Sequence, residues 1–188
     1  MEIKPQVRFL KEIKSLLFDK NWSKTAANSK LYYIYRAVKK KGELRYDITL
    51  IPPRMLGKEF VKTKGNRNSN SYSELYTVLK GEAIFLMQRS EGKTVKEAFF
   101  SRLKKGDWIV VPADCYVVAI NPSKKDLKLA NWVSEKNKNA YETIEKMKGA
   151  CYFFTENGWI KNENYKSVPK LKFKKPLKKK PKNLSFLR

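Results

Sequence analysis

The sequence predicts an all-β fold, a small antiparallel barrel or sandwich with helical flanks and a basic extended tail. Three observations carry this. Short runs rich in β-branched and aromatic side chains recur through the middle of the chain, as in Leu31–Val38, Leu44–Ile51 and Tyr116–Ile120. Turn signals separate the runs, at Lys39–Gly42, Lys80–Gly81, Glu91–Gly92, Lys105–Asp107 and Asn121–Ser123. A length of 188 residues, 41% hydrophobic and 13% aromatic, suffices for one core plus tails.

In chain order, residues 6–20 read as an amphipathic helix, with Val7, Leu10, Ile13, Leu16 and Leu17 on one stripe. Residues 21–29 read as a polar connector, so residues 1–29 form an N-terminal flank. The strands are Leu31–Val38, Leu44–Ile51, Glu74–Leu79, Glu82–Gln88, Ala98–Leu103, Trp108–Val111, Tyr116–Ile120 and Leu127–Val133. Pro52-Pro53 ends the second strand, because proline has no N–H for a ladder. Asn139–Lys148 reads as a second helix stopped by Gly149. Cys151–Phe154 and Trp159-Ile160 form a closing hairpin around Asn157-Gly158. Residues 30–165 are thus the barrel domain.

Forty-two Lys and Arg against eighteen Asp and Glu give a net charge of +24. Such a field attracts polyanions and bears on partners, not on fold. No apolar run approaches the roughly 20 residues that span a bilayer, and no signal peptide is expected. Cys115 and Cys151 sit among apolar neighbours and read as reduced thiols of a cytoplasmic protein.

Residues 166–188 change character. They hold ten Lys or Arg and no Asp or Glu, with prolines at 169, 176 and 181. Such a tail is expected to be extended, or disordered when free. Lys170, Lys172, Lys174, Lys175, Lys178, Lys179, Lys180, Lys182 and Arg188 interleave with Leu171, Phe173, Leu177, Leu184, Phe186 and Leu187. Cations among apolar anchors suit a polyanion, and Phe173 joins the lysines as a candidate RNA contact. RNA, ribosomal RNA included, is the expected partner.

The stretch Gly57–Gly81 carries the most specific motif. It reads Thr63-Lys64-Gly65-Asn66-Arg67-Asn68, then Glu74-Leu75-Tyr76, then Leu79-Lys80-Gly81. By strand parity Asn66 and Asn68 are expected to face one side, with Glu74 reaching it from the next strand. A second motif runs Gly106-Asp107, Val111-Pro112-Ala113, Val117 and Asn121. Together these resemble the cupin superfamily, in particular the archaeal-type glucose-6-phosphate isomerases, over roughly residues 30–165. That family writes T-K-G-H-x-H in the first motif and a third histidine in the second. Here Asn66, Asn68 and Val117 stand in those places, and the chain has no histidine.

The resemblance implies a cupin barrel, a metal held by three histidines and a glutamate, and proton transfer between adjacent sugar carbons through an enediol. Carried over, the metal positions are Asn66, Asn68, Glu74 and Val117. Neutral amides are weak ligands for transition metals and valine is none, so no metal or other cofactor is expected. The resemblance also implies Glu74 and Tyr76 as catalytic residues if activity remains. It implies Thr49, Thr63, Gly65, Arg67 and Tyr141 as a sugar-phosphate pocket, and a homodimer. Two functions stay open: a non-catalytic, basic RNA-binding protein, or an isomerase that works without its histidines. A sugar-phosphate binder is a third reading.

Overall fold

The computed structural model describes residues 3–68 and 72–187. In chain order the strands are β1 (Gln6–Phe9), β2 (Lys30–Lys41), β3 (Leu44–Ile51), β4 (Met55–Leu56), β5 (Glu59–Phe60), β6 (Arg67–Asn68), β7 (Glu74–Lys80) and β8 (Glu82–Glu91). They continue as β9 (Thr94–Lys104), β10 (Trp108–Val111), β11 (Tyr116–Ile120), β12 (Leu127–Ser134), β13 (Asn139–Ala140), β14 (Tyr152–Thr155), β15 (Gly158–Lys161) and β16 (Lys172–Phe173). Two short helices are α1 (Lys20–Thr25) and α2 (Glu142–Lys146).

A six-stranded sheet runs β1-β2-β3-β12-β7-β10 and a four-stranded sheet runs β11-β8-β9-β16. Their inner faces meet over the main core, which includes Ile51, Val78, Phe85, Ile109 and Leu129. The fold is all-β, two sheets packed face to face, as the sequence predicts. Pairing among the described residues is antiparallel except where the C-terminal segment meets β9, at β16 and at an isolated Thr94–Ser167 bridge, both parallel. The β3–β12 ladder extends from Leu127 opposite Ile51 to Ser134 opposite Leu44. It places Asp47 beside Asn131 and Thr49 beside Leu129, all facing inward.

The N-terminus departs from its predicted helix. Residues 6–9 form β1 against β2, and 3-10 turns follow at Leu10–Glu12 and Lys14–Leu16. The predicted apolar stripe is nevertheless buried: Leu10, Ile13, Leu16 and Leu17 are at most 1% exposed. Leu10, Ile13 and Leu16 are spaced by three, which matches three residues per 3-10 turn as well as an α-helical face. The open edge of β2 decided the matter by offering backbone partners to residues 6–9. The predicted connector holds α1, capped by the Asp19 carboxylate, which accepts from the Trp22 N–H at 2.9 Å. The second predicted helix is shorter than expected, because Asn139-Ala140 pairs with β6 and only Glu142–Lys146 turns helical.

Residues 166–184 lie along the barrel, and Ser185–Leu187 close in a 3-10 turn. Val95 N–H donates to Ser167 O, Lys174 N–H to Phe100 O, and Leu177 exchanges two backbone bonds with Trp108. Leu187 is fully buried, in a small cluster with Leu44 and Leu75 against which Trp108, Trp132 and Leu184 pack. The tail is therefore a strap on the barrel surface.

Candidate functional site

β7 supplies the floor of the barrel mouth. Glu74 and Tyr76 are two residues apart on one strand, so both point inward. The Glu74 carboxylate accepts from Asn131 Nδ2 at 2.7 Å, and it also hydrogen-bonds the Tyr76 side chain. Glu74 is 4% exposed. Burial pushes its carboxyl above the ordinary range, against the opposing pull of Tyr76 and Arg36. Burial, with the Glu74 charge behind it, also pushes the Tyr76 phenol well up. At neutral pH this site favours a protonated carboxyl more than water does.

Arginines from neighbouring strands flank the floor. Asp47, wholly buried, accepts from Arg36 Nη1 at 2.6 Å, Arg45 Nε at 3.0 Å and the Ala37 N–H at 2.8 Å. The β2–β3 register shifts between Tyr35 and Lys39, and Ala37 sits there at φ +50°. A non-glycine residue in the left-handed region costs on the order of 1 kcal/mol. Here the bulge turns its N–H onto Asp47 Oδ1, while Asp47 Oδ2 accepts from both guanidinium groups and orients them.

The rim is the Thr63–Asn66 segment lying along β11. Thr63 N–H donates to Ala119 O at 2.9 Å, and Thr63 Oγ1 accepts from Ala119 N–H at 3.0 Å. Asn66 and Val117 exchange backbone bonds at 3.2 and 2.9 Å. Gly65 sits at φ +87°, and a Cβ there would meet Val118 Cγ2 at 2.8 Å, so the close approach requires glycine. Lys64 N–H donates to the Tyr32 hydroxyl at 3.1 Å, and burial pushes that phenol up to about 12. Lys64 Nζ lies 2.6 Å from Glu145 and 4.5 Å above the centroid of the Tyr141 ring.

These groups enclose a cavity of about 60 Å³ lined by Thr49, Thr63, Gly65, Asn66, Glu74, Tyr76, Val117 and Tyr141, together with Arg8, Arg36, Arg45 and Lys64. Most of the residues expected at the site are therefore together. Two are not. Asn68 lies outside the cavity lining; its amide donates to Tyr72 O at 2.6 Å and its Oδ1 is buried without a partner. Arg67 also lies outside, with its guanidinium 5.5 Å from the Tyr116 ring centroid. The reason is nonlocal. Asn66 pairs with β11, whereas Asn68 pairs with Asn139 in a separate ribbon, so strand parity does not carry across. Ser69, Asn70 and Ser71, which follow Asn68 in the chain, lie outside the described residues, as does Arg188.

Sequence reasoning missed Arg8, Arg36, Arg45, Lys64 and Asn131. A usable signal existed for two of them: Arg45 alternates with Asp47 and Thr49 on one strand, and Arg36 lies on the neighbouring one. Arg8 was hidden by its assignment to a helix.

Could this site hold the family's metal? Of the four family positions, three line the cavity and only two of them carry donors, the Asn66 amide and the Glu74 carboxyl; Val117 offers an alkyl group. Among the described residues no three His, Cys, Asp or Glu side chains gather as a ligand set. These residues do not fit a transition metal.

The strap presents its own chemistry. Lys170, Lys172, Lys175, Lys178, Lys179, Lys180 and Lys182 are exposed, and Lys174 is half-buried. Lys178 pairs with Asp107 at 2.7 Å, and Lys180 Nζ lies 5.1 and 5.9 Å from the Trp132 and Trp108 ring centroids. Among the described residues no helix is long and apolar enough to cross a membrane.

Comparison with known proteins places this geometry. Glucose-6-phosphate isomerase of Thermococcus litoralis is 32% identical over 115 residues, 58% of each chain. The enzyme of Pyrococcus abyssi is 32% identical over 112 residues, 56% of this chain and 57% of that one. The chain thus matches little more than half the length of these curated relatives. Among solved structures, a cupin-2 domain from Rhodospirillum rubrum has a TM-score of 0.44 at 13% identity, over 58% of this chain and 64% of that one. The model of the family described as "Glucose-6-phosphate isomerase (GPI)" matches residues 8–170, from β1 through the hairpin to the start of the strap, and the chain belongs to that family.

Proposed function

We propose that this chain is a non-catalytic member of its family that binds RNA through the strap. The carrying observation is how the strap is held. Its backbone and apolar side chains attach it to the barrel, and this leaves its ammonium groups facing solvent. Among the described residues only Lys178 of the strap has an acidic partner. The family match covers residues 8–170, so most of the strap lies beyond the matched region. A fixed row of cations pre-organises phosphate contacts and binds RNA by counterion release.

The mouth supports the non-catalytic half of this reading. An enediolate oxygen needs a cation or strong donor where charge develops. Val117 offers neither, Asn68 is turned to its own loop, and the cations lining the cavity are paired: Arg8 with Glu12, Arg36 and Arg45 with Asp47, and Lys64 with Glu145. The cavity, about 60 Å³, is far below the roughly 300 Å³ at which small-molecule pockets begin.

A full-length variant with Lys170, Lys172, Lys174, Lys175, Lys179 and Lys182 changed to glutamine tests the proposal. If about six lysines contact single-stranded RNA, log affinity should fall with log salt at a slope near −4, from roughly −0.7 per phosphate. The variant should lose most of that slope. Equal affinity and equal salt dependence would sink the strap as the anchor.

A second reading rests on the cavity itself. Arg8 and Lys64 share it with Thr49, Thr63 and Tyr141, a donor set suited to a sugar phosphate once the rim opens. Robust isomerase turnover that Glu74→Gln abolishes would establish this reading in place of the first.

A further inference from the structure

A row of aromatic rings runs along the surface where the strap, β9 and the closing hairpin meet. Phe173 of β16 meets Phe100 of β9 edge-on, with centroids 5.4 Å apart. Phe100 meets Trp159 of β15 at 5.6 Å, and Trp159 meets Phe154 of β14 at 4.7 Å. Phe154 then stacks on Phe60 of β5 at 5.4 Å. The row joins segments from four parts of the chain, and its head, Phe173, joins it only where the strap lies along β9.

The ring at its head is the most exposed. Phe173 is 58% exposed, whereas Phe60, Phe100, Phe154 and Trp159 are half-buried. Core packing accounts for the inner rings. It does not account for a phenyl group set among lysines on a two-residue strand, where Leu187 shows what a buried strap anchor looks like. Cations surround the row. Lys172 and Lys174 flank Phe173 in sequence, and the Arg102 guanidinium lies 5.9 Å from the Phe154 ring centroid.

Beside Phe173 opens a groove of about 470 Å³, lined by Arg102, Lys104, Lys175 and Lys178. Glu82 and Asp107 line it too, and Asp107 is already paired with Lys178. The groove is within the size range of small-ligand sites and is roomy enough for a nucleotide.

Lysines alone bind any polyanion, duplex RNA included. Exposed rings between cations do something more selective, because an unpaired base offers a free π-face and a base inside a duplex does not. We infer that the row headed by Phe173 stacks bases of single-stranded RNA, with the phosphates lying on Lys172, Lys174, Lys175 and Arg102. This rests on the RNA-binding reading above and adds the form of RNA recognised.

The test uses the full-length protein, a labelled single-stranded RNA about a dozen nucleotides long, and a duplex of the same length. Phe173→Ala should lower affinity for the single strand about tenfold. Affinity for the duplex and the salt slope should stay unchanged, since stacking releases no counterions. Phe173→Tyr should restore single-strand binding. Undiminished single-strand binding by Phe173→Ala would overturn the inference while leaving the RNA reading intact. An equal loss for single strand and duplex would also overturn it, because Phe173 would then serve only to hold the strap. Failure of the unmodified protein to bind either RNA would remove the RNA reading itself, and this inference with it.

Discussion

Lys178 Nζ lies 2.7 Å from Asp107 Oδ1, tying the strap to the turn between β9 and β10. Burial pushes the Asp107 carboxyl up. The Lys104 N–H, at 3.0 Å, and the Lys178 ammonium outweigh it and hold the group below its ordinary 3.8. A depressed carboxyl pKa contributes stability above the unfolded-state value, and that stability is lost as pH falls through the folded-state value. Lys178 is largely exposed, so the pair is worth little, about 0–1 kcal/mol.

We therefore predict that the strap is held mainly by apolar burial. Leu187→Ala should remove most of its attachment, since truncating a buried leucine costs about 2–5 kcal/mol. Lys178→Ala should cost well under that. Amide hydrogen exchange reads the difference: residues 172–187 should lose protection in Leu187→Ala while β3, β7 and β12 keep theirs. Equal effects from the two substitutions would contradict this ranking.

Glu74 yields a prediction about pH. Its folded pKa is raised, so its favourable contribution is complete below the unfolded value of 4.5 and disappears as pH rises through the folded value. Above that point the buried charge is a net cost, about 1.4 kcal/mol for each tenfold change in proton affinity. Glu74→Gln should accordingly melt at a higher temperature than the unmodified protein at pH 7–8, with the gap closing toward pH 4.5. A lower melting temperature at neutral pH would mean that the Arg36 and Arg45 charges outweigh burial.

Metal content follows from which positions face the cavity. The protein dialysed at neutral pH should carry far less than one transition metal per chain by elemental analysis. Asn66→His with Val117→His would add two imidazoles opposite Glu74. We predict that this double variant binds as much zinc or nickel as a triple variant that also carries Asn68→His, because Asn68 is turned to Tyr72 O. One metal per chain in the triple variant and none in the double would show that residue 68 swings inward.

The thiols should be inert in the folded state. Burial pushes Cys115 up to about 11 and Cys151 up to about 12, and neither is more than 2% exposed. Alkylation at pH 8 should run at least about a hundredfold slower than for a free thiol, because so little thiolate forms. Mass spectrometry before and after denaturation measures this; rapid labelling of the native protein at Cys115 would show that β11 opens.

Much of this protein is legible in its amino-acid sequence. β3, β10 and β11 begin and end where alternation and turn residues put them, since period-two burial and proline or glycine punctuation are local properties of the chain. The loss of the family's imidazoles is also plain from Asn66, Asn68 and Val117 alone. What needed tertiary structure was everything fixed by a distant partner. Residues 6–9 became a strand because β2 had a free edge. Asn68 turned away because β13, far along the chain, claimed its backbone in a different ribbon from Asn66. Arg36 and Arg45 entered the mouth through a bulge and a shared carboxylate, Asp47, which no spacing rule marks. Likewise the composition of residues 166–187 announced an extended basic segment, but only the exposed backbone of β9 and the apolar cluster around Leu44 and Leu75 decided that it would lie along the barrel. Local sequence sets what a segment can form; which partner satisfies its backbone and covers its apolar side chains is a property of the folded whole.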